Sequence, residues 1–585
     1  MGPHPIPYSM FHIILPLTML FQDIKTEKDL NQLKRRITTD TALYQRILAV
    51  RASMQEAGGK LAPEAQNEPD KGPAGPKMPT NAEILAFYHL AVEAGQETPS
   101  LDAELLMKKL KTRSNSGVAV VSLLTKPFPC PGRCTYCPTE ANMPKSYLSK
   151  EPAAARALAN NFDPYDQVTN RLKALAMNGH TTDKVEMIAI GGTWSFYHPK
   201  YQEEFLAEAF RACNNFGRSE SEQTAKGVKS LALLQDENET APTRIIGLSI
   251  ETRPDYITTV ELERLRALGV TKVEIGVQHL DDDVLKLTKR DMKIAQVKIA
   301  TERLRNAGFK IVYHMMPNLP GSTTARDIEM FGELFSGEDF QPDMLKMYPC
   351  MVLEGSELFQ TWQDGGFVPY TDVELMHVLA GAKKQVPKYV RIIRVIRDIP
   401  ATYIQAGSKI SNLRQWLEAD MKKNNWQCIC IRCREVRGMV MEPENFPLNR
   451  IEYRTTTGRE IFLSFEEKNV GSSVIPLGTV GKIASFLRLR LPDNHGAEFV
   501  GTPLAVLEGA ALVRELHTYG RLAPIGSKGT QSQHVGFGTK LLLEAEHIAK
   551  EAGYKKLAII SGIGVREYYK NRGYREEGTY MVKVL

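Results

Sequence analysis

A chain of 585 residues, at ~150 per domain, allows three or four domains, and 43% hydrophobic with 24% charged residues is an ordinary globular composition. That excludes a wholly disordered, collagen-like or disulfide-scaffold chain. Lys and Arg number 74 against 68 Asp and Glu, so the net charge of +6 is too small to point to nucleic acid by itself, and any basic footprint is local.

In chain order, Met10 to Phe21 (MFHIILPLTMLF) is an apolar run of 12 residues broken by a proline. It falls short of the ~20 that cross a bilayer and has no basic region before it, so the expectation is a cytoplasmic protein with no transmembrane helix. Residues 23–56 read as a polar amphipathic helical stretch and the Gly/Pro-rich 57–79 as a linker, which makes 1–80 an N-terminal extension. Thr80 and Glu83 have capping-box spacing and open a helical segment, 81–115, that ends in the basic run Lys108, Lys109, Lys111 and Arg113.

From Val118 the pattern alternates short apolar runs with helical stretches such as Glu261 to Leu268 and Ala295 to Ala307. Val118 to Leu124, Val185 to Ile190, Ile245 to Ile250, Val273 to Val277, Lys310 to His314 and Leu345 to Tyr348 read as strands. About six βα units over 116–400 predict an α/β fold, an incomplete βα barrel whose chemistry sits at the C-terminal ends of its strands. The polar Ser219 to Thr240 reads as a surface insertion. A cysteine-bearing linker (401–440) leads to a strand-rich α+β domain (441–585), with strands at Ile451 to Thr456, Glu460 to Phe465, Val480 to Leu487, Ala510 to Leu516 and Lys556 to Ile560, and a helix at Thr539 to Glu551.

Six of the eight cysteines fall in two short groups, which suggests metal in a reducing compartment. Cys130, Cys134 and Cys137 (C-x3-C-x2-C) follow the first strand and offer three thiolates to a four-iron four-sulfur cluster, leaving one iron for an outside ligand such as S-adenosylmethionine. The alternative is a zinc site completed by a histidine. Gly191, Gly192 and Thr193 after the second strand, Glu251 after the third, Gln278 after the fourth and His314 at the end of the fifth put polar or backbone-exposing groups on the same rim as cofactor-binding candidates. Cys428, Cys430 and Cys433 supply three ligands to a structural zinc, or else are buried reduced thiols. Around them Arg391, Arg394, Arg397, Arg432, Arg434 and Arg437 are either phosphate contacts or a solvated charged face. Near the C-terminus, Gln533, Gly536 and Gly538 (Q-x-x-G-x-G) precede a helix, a pattern that suits a pyrophosphate at a helix N-terminus or a plain turn.

The motifs SGVAVVSLLTKPFPCPGRCTYCP (116–138), KSYLSKEPAAARA (145–157), FDPYDQ (162–167), GHTTDKVEMIAIGGT (179–193), HMMPNLPG (314–321) and RDIPATYIQAGSKISNLRQ (397–415) stand in one order. In them the chain resembles the radical S-adenosylmethionine enzymes and, within these, the Elongator complex protein 3 family, from about Asn81 to the C-terminus. It departs from the family pattern at Thr139-Glu140 and at 289–291. The C-terminal part resembles the GNAT acetyltransferases.

The resemblance implies acetyl-CoA contacts at Glu515, Leu516, His517, Thr518, Phe537, Gly538, Thr539 and Tyr569, with Tyr568 beside it and Lys184 reaching across from the barrel; Lys184, Tyr568 and Tyr569 are the catalytic candidates. It implies a 5'-deoxyadenosyl radical that activates the acetyl methyl for addition to the wobble uridine of tRNA. Thioester hydrolysis then leaves 5-carboxymethyluridine. The implied partners are tRNA, bound in part by 81–115, an electron donor, and a second copy or Elongator-like proteins. A protein lysine acetyltransferase with a structural iron-sulfur cluster, and a non-catalytic tRNA-binding module, are the competing readings.

Overall fold

Seven of the apolar runs pair edge to edge in a computed structural model that describes residues 27–56, 78–93, a few positions between 95 and 107, 117–437, 442–468, 481–519 and 536–585. The strands are β1 (Ala119–Leu124), β2 (Lys184–Ile190), β3 (Arg244–Thr252), β4 (Lys272–Gln278), β5 (Lys310–Met315), β6 (Met344–Met347), β7 (Val352–Leu353), β8 (Arg391–Arg394) and β9 (Ile404–Ala406). β1 to β6 and β8 form one parallel sheet in the order 1-2-3-4-5-6-8, while β7 and β9 make a small antiparallel pair. Helices follow the strands, as parallel pairing requires.

Burial follows the sequence along each strand. In β2, Val185, Met187 and Ala189 are buried, whereas Lys184, Glu186, Ile188 and Ile190 alternate with them on the opposite face. Side chains two apart share a face, so this strand presents an apolar side to its helices and a mixed side to the concave lumen of a half-barrel. β4 is buried on both faces for its first six residues, as expected for a central parallel strand.

A second seven-stranded sheet holds β10 (Leu448–Thr455), β11 (Gly458–Glu466), β12 (Ile483–Pro492), β13 (Ala510–Thr518), β14 (Lys556–Ile559), β15 (Arg575–Glu577) and β16 (Tyr580–Val584), in the order 10-11-12-13-14-16-15. All its pairs are antiparallel except β13 with β14, which are joined through the helix Phe537–Glu551. This sheet docks on the N-terminal rim of the half-barrel. Arg514 reaches across to both carboxylate oxygens of Asp343 and to the carbonyl of Phe309. Tyr580 donates to the carbonyl of Ala307, and a Cβ on Gly308 would stand 3.2 Å from Leu512. One apolar core runs through both sheets.

Three expectations change. The barrel sheet has seven strands rather than about six, because Arg391–Arg394 pairs with β6; four residues with arginine at both ends and one buried Ile392 give too short a pattern to read as a strand. The polar stretch 219–240 is not a plain surface insertion. It contains a helix, Leu231–Asn238, whose Asn238 bonds Asn214 and the backbone of Ile245, and Glu239 beside it pairs with Arg566 of the second sheet's domain. The boundary drawn at 57–79 is bridged by packing. Helices Glu27–Thr39 and Thr41–Glu56 put Leu30, Leu33, Ile37, Leu43 and Ile47 against Ile84, Leu85 and Tyr88 of helix Asn81–Glu93, a helical stripe on each side. That last helix opens with the expected capping box, Glu83 N donating to Thr80 and Thr80 N to Glu83. The run Met10 to Phe21 and the basic run at 108–113 lie outside the described residues. Among the described residues, no helix is long and apolar enough to cross a membrane.

Candidate active site

The chain leaves β1 at Leu124 and turns directly into the Cys130–Cys137 loop. Gly132 lets this loop close on itself: a Cβ there would stand 3.6 Å from Cys134 Sγ, 3.8 Å from Cys130 Sγ and only 2.7 Å from a nitrogen of Arg253. The amide of Cys137 donates to Cys134 O, and the amide of Thr135 to Thr288 O, which ties the loop to the segment after β4. Gly191 and Gly192 both have positive φ, and a Cβ on Gly191 would overlap Thr125, so glycine is required where the two strand ends meet. Thr193 follows, its hydroxyl 3.8 Å from Cys130 Sγ. The Cys137 hydrogen bond, and after it the charge of Arg290, hold the Cys134 thiol down to about 5 against its burial, while the same hydrogen bond pushes Cys137 up.

Below this rim the lumen carries a ladder of alternating charges. Lys272 pairs with Glu186, and Lys346 lies between Glu274 and Glu251. His314 bonds Glu274 at 2.9 Å, and Tyr147 donates to Glu251 at 2.6 Å. Burial would raise the Glu274 carboxyl, but Lys346 and His314 together hold it well below the usual carboxylate range. Gln278, with φ +73, closes β4 beside Gly276. Lys184 stands at the other end of β2 from Gly191, ~20 Å away at 3.3 Å per residue, and so faces the second sheet.

On that second sheet, β13 pairs with β14 only from Ala510 to Val513, and beyond that it is paired on its β12 side alone, which leaves the β14-side edge open. The stretch with one open edge carries Glu515, Leu516, His517 and Thr518. Gly538 sits at the start of the facing helix, where a Cβ would meet Tyr568 Oη at 3.0 Å, Thr518 Oγ1 at 3.6 Å and Leu516 at 4.0 Å. Thr539 accepts from Arg572, whose guanidinium lies 3.6 Å over the Tyr568 ring, and Tyr569 packs edge-on against Tyr568. Glu515 accepts from Arg488, and burial keeps His517 low. The ring of Phe537 stacks on Phe465 in the core. Gln533 lies outside the described residues.

One cavity of about 1530 Å³ is lined by all three cysteines of the loop, by Gly192, Thr193, Glu251 and Gln278, by Lys184, and by Glu515 to Thr518, Gly536, Gly538, Thr539, Tyr568 and Tyr569. Residues 129–334 match the model of the radical SAM superfamily, and 342–423 that of the radical SAM C-terminal domain. Curated relatives extend the match over most of the chain. The chain is 41% identical over 522 residues to the tRNA uridine(34) acetyltransferase of Methanocaldococcus infernus, covering 87% of this chain and 92% of that one. It is 43% identical over 484 residues to that of Dehalococcoides mccartyi (82% and 100%), and 36% over 502 to Elongator complex protein 3 of Homo sapiens (82% and 87%). The solved Methanocaldococcus infernus Elp3 lacking residues 1–46 superposes with a TM-score of 0.67 at 39% identity, over 80% of this chain and 100% of that one. The chain belongs to the Elongator complex protein 3 family of radical SAM proteins.

Membership implies a four-iron four-sulfur cluster and S-adenosylmethionine, and the donor set fits. Three thiolates on one loop face the cavity, and Cys350, which packs in the same apolar cluster as Cys134, has its thiol pushed up to about 12 by burial. Cys428, Cys430 and Cys433 are a different kind of group. Their sulfurs lie within 4.8 Å of one another, Cys428 and Cys430 are fully buried, and Lys383 Nζ is 3.8 Å from Cys433 Sγ. The one other trio of candidate ligands this close among the described residues is Glu251, Glu274 and His314, already occupied by the Lys346 ammonium.

Of the six arginines read as phosphate contacts, Arg434 is buried on Glu466, Arg391 pairs with Glu435, and Arg397 bonds Glu151 and Ser146. Arg394, paired with Asp398, and Arg437 are exposed on the cavity wall, and Arg432 is half-buried there beside Glu435. Sequence reasoning missed Arg253 and Arg290 beside the cysteine loop. Only long-range packing buries them there.

Proposed function

We propose that this chain modifies the wobble uridine of tRNA to 5-carboxymethyluridine, with acetyl-CoA as the carbon source. The observation that carries the reading is the single cavity joining the thiolate loop, at the C-terminal rim of the half-barrel, to the open end of β13 at the N-terminal rim. When bound, the cluster and S-adenosylmethionine supply a 5'-deoxyadenosyl radical. The chain's residues would do the rest. Backbone N–H groups at the start of helix Phe537–Glu551 receive the pyrophosphate of acetyl-CoA, Gly538 permitting its approach. Leu516 to Thr518 flank the acyl arm and Lys184 meets it from the barrel side. Gly192, Thr193, Glu251 and Gln278 line the place of S-adenosylmethionine with Gly191 shaping the turn behind them, and Arg394, Arg432 and Arg437 meet tRNA phosphates. Cys428, Cys430 and Cys433 hold a structural zinc, their mutual spacing suiting one tetrahedral ion.

Amine acetylation is the weaker reading, because the barrel covers the ground an incoming lysine would cross. Gly562, just past β14, presses so closely on Ile246 that a Cβ would lie 2.1 Å from its carbonyl oxygen. The test is anaerobic reconstitution with tRNA, S-adenosylmethionine, acetyl-CoA and a reductant, followed by nucleoside analysis. Carboxymethyluridine is expected from the wild type and not from Cys134→Ala. A chain with an intact cluster that forms none sinks the proposal.

A further inference from the structure

Arg290 is 7% exposed, and among the described residues no carboxylate is paired with it. Its neighbours are otherwise served: Lys289 pairs with Glu357, Asp291 with Arg133, and Arg253 with Asp255. The Arg290 guanidinium donates to Cys134 Sγ at 3.6 Å and to the carbonyl of Gly276, and its Nε is buried with no partner. A buried cation without a counter-charge is strongly disfavoured, so this position makes sense only opposite an anion. The anions at hand are the thiolates of the loop.

The backbone is built to hold that side chain inward. Lys289 and Asp291, on either side, both have left-handed φ, +52 and +50, a conformation that non-glycine residues adopt only under constraint. The amide of Arg290 is anchored on Leu285 O at 2.8 Å. Gly276 leaves the space: a Cβ there would stand 2.8 Å from an Arg290 nitrogen. Strain, an anchor and a missing side chain thus converge on one guanidinium aimed at one ligand sulfur.

We propose that Arg290 is the positioning and charge-balancing residue of the cluster, donating an N–H to the Cys134 thiolate and so raising the cluster's reduction potential. Reduction adds a negative charge to the site, and a fixed guanidinium at hydrogen-bond distance favours the more negative state. This deepens the reading of the triad as cluster ligands and rests on it. Arg253, whose Nη1 is buried without a partner over Gly132, has its charge balanced by Asp255 instead.

The test is an anaerobic redox titration of the reconstituted full-length chain, followed by electron paramagnetic resonance of the reduced cluster, with iron and acid-labile sulfide counted per chain. Arg290→Gln is expected to load the cluster and to be about tenfold harder to reduce, a shift of about 59 mV to more negative potential for one electron. Arg290→Lys, which keeps the charge but not the fork, should fall between. A loaded Arg290→Gln chain titrating at the wild-type potential overturns the proposal. If Arg290→Gln assembles no cluster, Arg290→Lys decides: a potential below wild type supports the role, and a wild-type potential refutes it. A wild-type chain that takes up no iron would instead refute the cluster reading, so the two failures are distinct.

Discussion

The two cysteine triads have the same number of thiols and nearly the same span of sequence, yet they are built oppositely. The first lies on a loop at a cavity wall, open to a large space and faced by guanidinium groups. The second is closed, its sulfurs within 4.8 Å, wedged between the half-barrel and the second sheet with a buried lysine beside it. Sulfurs drawn that close suit one ion bound on all sides, whereas a loop that leaves its sulfurs facing a cavity suits a larger cofactor with a vacant corner. On the proposed reading one triad serves chemistry and the other architecture.

The sharpest way to break that contrast is to remove one thiol from each. Cys134→Ala should reduce carboxymethyluridine formation to background, measured by nucleoside chromatography, with the melting temperature barely changed. Cys430→Ala should lower stability by on the order of 3 kcal/mol, read by denaturant titration, with one bound zinc lost by elemental analysis. Equal melting losses for both would erase the distinction.

A second cut falls on the architecture alone. Asp343 and Arg514 are fully buried and join the barrel to the second sheet, so Arg514→Gln leaves a carboxylate without its main partner and should cost ~3–5 kcal/mol. The expected signature is a lowered denaturant midpoint with iron content unchanged.

Acid should act on the same joint. Burial raises the Asp343 carboxyl, but Arg514 and Arg488 outweigh it and bring it to about 2, below its ordinary 3.8. A depressed folded-state value means the stabilisation is full above pH ~4 and is lost as pH falls through about 2, roughly 2–3 kcal/mol in all. Stability measured from pH 5 to 2 should fall less steeply in Asp343→Asn than in the wild type. The smallest effect is expected of Gly538→Ala, whose Cβ would crowd Tyr568 and raise the apparent KM for acetyl-CoA about fivefold, ~1 kcal/mol.

How much of this was legible follows from the range of the forces involved. Lys184 to Ile190 reveals its two faces through strict alternation, and the C-x3-C-x2-C loop and the glycines after β2 mark the rim because local geometry demands those residue types. Arg391–Arg394 and the helix Leu231–Asn238 were hidden, the first by brevity and the second because its burial depends on Asn214, 24 residues from Asn238. Arg290 was hidden for the same reason. Its meaning lies in a sulfur 156 residues away, and no periodicity in sequence encodes that pair.

The placement of Lys184 at one end of β2 and Gly191 past the other has a kinetic consequence. On the proposed reading acetyl-CoA and S-adenosylmethionine occupy opposite ends of one lumen, so both can be bound at once. Initial-rate plots against S-adenosylmethionine at several acetyl-CoA levels should therefore intersect rather than run parallel, and neither compound should act as a competitive inhibitor of the other.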